Sequence, residues 1–126
     1  PTEQKRREDA VVKMLNTLAA SGKLVRITEL DMGIDDEDGD PIVTDSVTFE
    51  QHKAMGDYYK FVINKYFEII PKSQQFGICH WCITDSPKKS GWRADTPVGL
   101  WTLDYRRKPA YGSFCDALKE ATDNNK

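Results

Sequence analysis

The sequence has little of what usually announces a chemistry. Eighteen basic residues against twenty acidic ones leave a formal charge of −2, so no basic field points to nucleic acid or to an anionic membrane. A neutral polymer or a small molecule is the better-matched partner. No run of eighteen apolar residues is present, which excludes a simple membrane-spanning helix. Nor is there a charged-then-apolar leader; the chain opens inside a helical pattern, so its start is silent about any leader upstream.

Cysteine is scarce as well. The three are Cys79, Cys82 and Cys115, an odd number that argues against a full disulfide framework. Cys79-His80-Trp81-Cys82 has C-x-x-C spacing, but no second pair completes a zinc site. A redox pair usually opens a helix, whereas Phe76 to Thr84 reads as a strand in which positions i and i+3 face opposite ways. The expectation is three structural, buried thiols, with no metal and no cofactor.

What the chain does have is the composition of one globular domain, 39% hydrophobic and 30% charged, in alternating helical and strand patterns. Thr2 can cap a first helix, over residues 2–20, that carries Val11, Leu15 and Leu18 and closes at Ser21-Gly22. Its mixed-sign face, Lys5 to Asp9, reads as solvated surface. A strand over residues 24–30 follows. Thr48 to Gln51 fits a capping box, opening a helix over residues 48–70 with Met55, Tyr59, Val62, Tyr66 and Ile69 on one stripe. Gly56 within it suggests close packing there, since glycine costs about 1 kcal/mol of helix propensity relative to alanine. The apolar run at residues 76–84 has the length of a parallel strand covered on both faces. Pro109 suits the first turn of a closing helix, residues 109–121, with Tyr111, Phe114, Cys115 and Leu118 on one side. A strand framed by helices on both sides is one unit of a parallel α/β sheet.

Candidate functional residues are few. Glu29 and Asp31, with one residue between them at the end of the first strand, share a face with Val25 and Ile27 if alternation is strict, and C-terminal strand ends face the ligand in such sheets. Surface acids alone would have the same spacing. The acidic run Asp35 to Asp40 superficially suits calcium, but with Gly39 as the sixth position of an EF-hand loop the first falls on Ile34 and the twelfth on Asp45, so a solvated loop is the reading. His52, alone on a helix, reads as a packed or surface residue. Trp81 either floors a pocket or fills the core. Trp92, with Arg93, lies in a polar loop with no apolar pattern around it, and an indole face stacks well on the apolar face of a sugar ring.

Gly22 to Met32, with Thr-Glu-Leu-Asp-Met at its end, resembles the active-site signature of glycoside hydrolase family 10, the retaining endo-β-1,4-xylanases. Ile83-Thr84-Asp85-Ser86 after Trp81, the Trp92-Arg93 loop and Lys108-Pro109-Ala110-Tyr111 are similar to the last strand and final helix of that family, in the same order. The resemblance implies an α/β fold, the C-terminal portion of a TIM (β/α)8 barrel with about two parallel strands and three helices, incomplete by itself. It implies Glu29 as nucleophile, Asp31 in the supporting hydrogen-bond network, and Trp81, Trp92 and Arg93 as substrate-binding residues. The acid/base glutamate of the family follows an asparagine on an earlier strand, and no Asn-Glu pair occurs here. The implied partners are xylan or xylo-oligosaccharides and the N-terminal portion of the same barrel, as a second chain or a swapped copy. A secreted or cell-envelope location goes with the family. Chain alone, no hydrolysis is expected. The contrasting expectation is a non-catalytic carbohydrate-binding or interaction module that uses Trp81 and Trp92.

Overall fold

A computed structural model describes residues 2–124. The order is α1 (Glu3–Ala20), β1 (Val25–Leu30), α2 (Phe49–Ile69), β2 (Gln75–His80) and α3 (Pro109–Asn124). The two strands pair in parallel, and α2 makes the crossover between them. Local chemistry sets the helix starts: the Thr2 side chain accepts from the Lys5 N–H, and Thr48 and Gln51 form the reciprocal capping box.

The helices cover one face of the sheet. Leu15 from α1, Val25 from β1, and Tyr66 and Ile70 at the end of α2 form one buried cluster; Met55, Tyr59 and Ala110 form a second, with Leu30 and Met32 packed on it. Tyr66 does more than fill space. Its fully buried hydroxyl donates to the Val25 carbonyl at 2.7 Å and accepts the N–H groups of Phe76 and Gly77, each at 3.1 Å. Those two N–H groups sit where the ladder slips, since one step on β1 (Val25 to Arg26) opposes two on β2 (Gln75 to Gly77). One phenol therefore satisfies two donors that the bulge takes out of the ladder.

Several expectations change. The second strand ends at His80, short of Thr84, because Cys82 takes a left-handed φ of 64° that breaks the extended run. Thr84 returns only as an isolated parallel bridge to Trp101. The run is covered on one face instead of two: Phe76 and Ile83 are exposed because none of the described residues forms a layer on the other side of the sheet. For the same reason the thiols are not all buried; Cys79 and Cys115 are exposed and Cys82 is half-buried. On α3 the buried stripe is Ala110, Ala117 and Ala121 with Phe114 partly buried, while Cys115 and Leu118 are exposed. Small residues are required there because α2 and α3 nearly touch. A Cβ on Gly56 would come within 2.7 Å of the Ser113 hydroxyl and 3.3 Å of the Pro109 carbonyl.

Candidate active site

At Glu29 strict alternation fails, and this decides where the carboxylate goes. Between the paired positions Ile27↔Ile78 and Leu30↔His80, β1 advances three residues while β2 advances two. The extra residue is absorbed by a left-handed φ of 54° at Glu29, a conformation non-glycine residues rarely adopt. Leu30 consequently takes the core position against Tyr59 and Met55. Glu29 is turned off the Val25 and Ile27 face and is exposed. This corrects the expectation of a shared face: an ideal strand would have driven the carboxyl under α2, where an unpaired charge is expensive. No hydrogen bond or ion pair is found for Glu29 among the described residues.

Asp31 has a partner that local sequence could not name. The Arg93 guanidinium donates to its carboxylate at 2.8 Å, across 62 positions of sequence. Arg93 reaches it through space left by Gly33, whose absent Cβ would stand 2.8 Å from the Arg93 Nη2 atom. The same guanidinium lies 5.7 Å from the centroid of the Trp92 ring. Trp92 in turn meets Trp81 edge-to-face, centroids 6.3 Å apart, and both indoles are about two-fifths exposed, at 40% and 45%. Asp31, Arg93, Trp92 and Trp81 are thus one contiguous group at the C-terminal ends of the strands. Glu29 lies two residues before Asp31, outside that chain of contacts. Trp81 is accordingly no core residue.

The loop that carries Trp92 and Arg93 is closed at its base by residues of the Ile83-Thr84-Asp85-Ser86 and Lys108-Pro109-Ala110-Tyr111 motifs, to which the sequence alone assigned no role. Lys108 Nζ donates to the Asp85 carboxylate at 2.6 Å and to the Pro97 carbonyl at 3.0 Å, and both charged side chains are only 2% exposed. Burial pulls the Lys108 ammonium down from its ordinary pKa while the Asp85 carboxylate opposes the shift. The same Asp85 oxygen accepts from the Gly99 N–H at 3.0 Å. Gly99 has no room for a side chain, since a Cβ would stand 2.2 Å from the Thr84 carbonyl carbon. Ser86, next along, donates to the Trp92 carbonyl at 2.8 Å. In sequence Lys108 is the third of three consecutive basic residues, and nothing local marks it as the buried partner of an acid 23 residues earlier.

Beside Asp31 opens a cleft of about 1100 Å³, lined by Met32, Gly33, the acidic loop, Tyr58 and Arg7 among others. The loop is ordered by its own backbone: Asp36 Oδ1 accepts from the N–H groups of Asp38 and Asp40, and Arg7 pairs with Asp35 at 2.9 Å. Among the described residues no three His, Cys, Asp or Glu side chains converge on a metal position.

Parallel strands joined through α2, helices on one face, and acids, a guanidinium and two indoles at the C-terminal strand ends define a segment of a (β/α)8 barrel with part of its ligand-facing rim. The chain belongs to glycosyl hydrolase family 10: the family model matches residues 2–117. Solved structures agree on the fold. A thermostable xylanase mutant from Cellvibrio japonicus superposes with a TM-score of 0.73 at 23% identity, over 88% of this chain and 35% of that one. A second xylanase from Cellvibrio japonicus, a mutant in complex with xylopentaose, gives 0.69 at 24% identity, over 85% of this chain and 23% of that one. Xylanase B from Clostridium stercorarium gives 0.66 at 21%, over 86% and 32% respectively. The chain therefore spans about a third or less of the length of each. No curated protein matches it.

Proposed function

We propose that this chain is the nucleophile-bearing part of a retaining endo-β-1,4-xylanase that hydrolyses xylan by double displacement. Glu29 attacks the anomeric carbon, and a second carboxyl, about 5–5.5 Å away in retaining enzymes, protonates the leaving oxygen and then activates water. Asp31 is a poor candidate for that second role, since it shares a strand with Glu29 and its carboxylate is engaged by Arg93. The acid/base therefore comes from strands outside these 126 residues, on the N-terminal portion of the barrel. Trp81 and Trp92 hold the sugar by stacking, and Arg93 braces Trp92 through Asp31.

The observation that supports this reading is the left-handed residue at Glu29, near the C-terminal end of β1, which takes the carboxyl off the core face into an exposed position at local backbone cost. That a xylanase of the same fold was solved with xylopentaose, and a further structure of that fold with xylotriose, supports the substrate class.

The test is complementation. Alone, the chain is expected to give no turnover of xylo-oligosaccharides. Mixed with a polypeptide that supplies the remaining strands it gains turnover, which Glu29→Ala abolishes and added azide restores as a glycosyl azide of inverted configuration. Robust hydrolysis by the lone chain, or turnover indifferent to Glu29→Ala, overturns the proposal. Sugar binding that needs the two tryptophans and ignores Glu29 would point to a binding module.

A further inference from the structure

Beneath the strand ends lies a polar contact that neither the fold nor the proposed chemistry uses. Tyr59 of α2 is fully buried, and its hydroxyl is 3.0 Å from His80 Nε2 at the end of β2, with ring centroids 5.5 Å apart. Phe114 of α3 closes the imidazole from a third side, edge-on at 5.8 Å. The surroundings orient the proton. Hydrogen bonding from the Met32 backbone favours the ionised Tyr59, as a backbone N–H does, and hydrogen bonding from the Cys82 backbone favours the charged His80, as a carbonyl does. An N–H directed at the phenol oxygen leaves the phenol proton to point at His80. A carbonyl at the imidazole calls for a ring N–H there, and with Nε2 taken by Tyr59 that donor is Nδ1. The arrangement that meets all of these demands is a neutral, Nδ1-protonated His80 that accepts from Tyr59, and the tautomer is what the test below reads.

These contacts come from both strand ends. Met32 follows Asp31 directly, and His80 and Cys82 flank Trp81; the ladder at this level is only Leu30↔His80 and the 3.1 Å bond from the Trp81 N–H to the Leu30 carbonyl. We propose that Tyr59 and His80 are a positioning couple that ties the C-terminal ends of β1 and β2 to α2, setting the spacing of Glu29 and Asp31 from Trp81 and Trp92. Protonation of His80 undoes it, because a second N–H on the ring cannot accept from the phenol. The consequence for turnover rests on the reading of Glu29 as nucleophile; the geometry does not.

Other groups also bear on the imidazole. Burial disfavours its charged form most, the Cys82 carbonyl and the Asp31 carboxylate favour that form, and Lys108, ahead of α3, disfavours it; the net direction is below the ordinary 6.5. Arg93 and the Cys82 thiol act in addition on the Tyr59 side.

The test reads the imidazole itself. Nitrogen-15 NMR of the chain is expected to show His80 protonated at Nδ1, with His52 assigned apart by His52→Gln. In Tyr59→Phe, which keeps the ring and loses one oxygen, the His80 titration midpoint moves upward toward 6.5, and the near-ultraviolet dichroism of the tryptophans follows it. A tyrosine that merely packs would leave that midpoint unmoved. In the complemented enzyme the acid limb of kcat/KM shifts the same way with the plateau retained, and His80→Gln flattens that limb. An Nε2-protonated His80 in the native chain, or the same midpoint in Tyr59→Phe, overturns the couple. Should Tyr59→Phe fail to fold, the native tautomer still decides. A Glu29→Ala variant that keeps full turnover sinks the nucleophile reading and leaves the imidazole measurements untouched.

Discussion

Lys108→Met is the sharpest perturbation the fold offers. Methionine keeps most of the side-chain stem, so little packing is lost, but the ammonium that met Asp85 at 2.6 Å and the Pro97 carbonyl at 3.0 Å is gone. Asp85, 2% exposed, would keep only the Gly99 N–H against its charge. Breaking a buried pair from one side costs about 3–5 kcal/mol, most of it the uncompensated charge. With a urea slope near 2 kcal/mol per molar, the unfolding midpoint should fall by about 1.5–2.5 M. The double variant Asp85→Asn, Lys108→Met removes the stranded charge and should recover most of the loss, to within about 1–2 kcal/mol of the native chain. Urea titration followed by tryptophan emission measures both, and Trp92 reports the loop directly because Ser86 holds its carbonyl. A single variant within about 1 kcal/mol of native, or a double variant as unstable as the sum of its singles, would refute the view that this pair closes the loop's base.

Gly99→Ala should be more damaging than its size suggests, by about 3 kcal/mol in the same titration, because the new Cβ meets the Thr84 and Asp85 backbone and no side chain can move aside. Gly56→Ala gains about 1 kcal/mol of helix propensity but meets Ser113, so a small net loss is expected, and Gly56→Ala with Ser113→Ala should exceed the single variant in stability. Stability should fall on acidification below pH 6.5: both His52 and His80 have folded pKa values lowered by burial, so the unfolded chain binds more protons in that window, and thermal melts at pH 5 and 7.5 check the sign. Burial pushes the Cys82 thiol from 9.0 up to about 11, which leaves about 100-fold less thiolate; mass spectrometry after mild alkylation at pH 8 should find Cys79 and Cys115 modified well before Cys82.

Sequence by itself determined what depends on near neighbours along the chain. Threonine caps and the apolar stripe of α2 follow from spacings of four residues or fewer, and the order of apolar and helical runs implied the crossover between two strands. The ordered motifs that place the chain in its family were legible there too. Alternation, however, assigned Glu29 to the wrong face, because a one-residue bulge is a property of two strands in register and has no signature in either alone. The α3 stripe was misjudged for a related reason: how near α2 approaches, and hence that alanines face it, is settled only when the helices pack. The Asp31 to Arg93 bond, the Asp85 to Lys108 pair and the Tyr59 to His80 contact span 62, 23 and 21 positions respectively. Hydrogen bonds act over about 3 Å, so only tertiary structure could choose these partners, and those choices govern where the rim's charges and indoles stand.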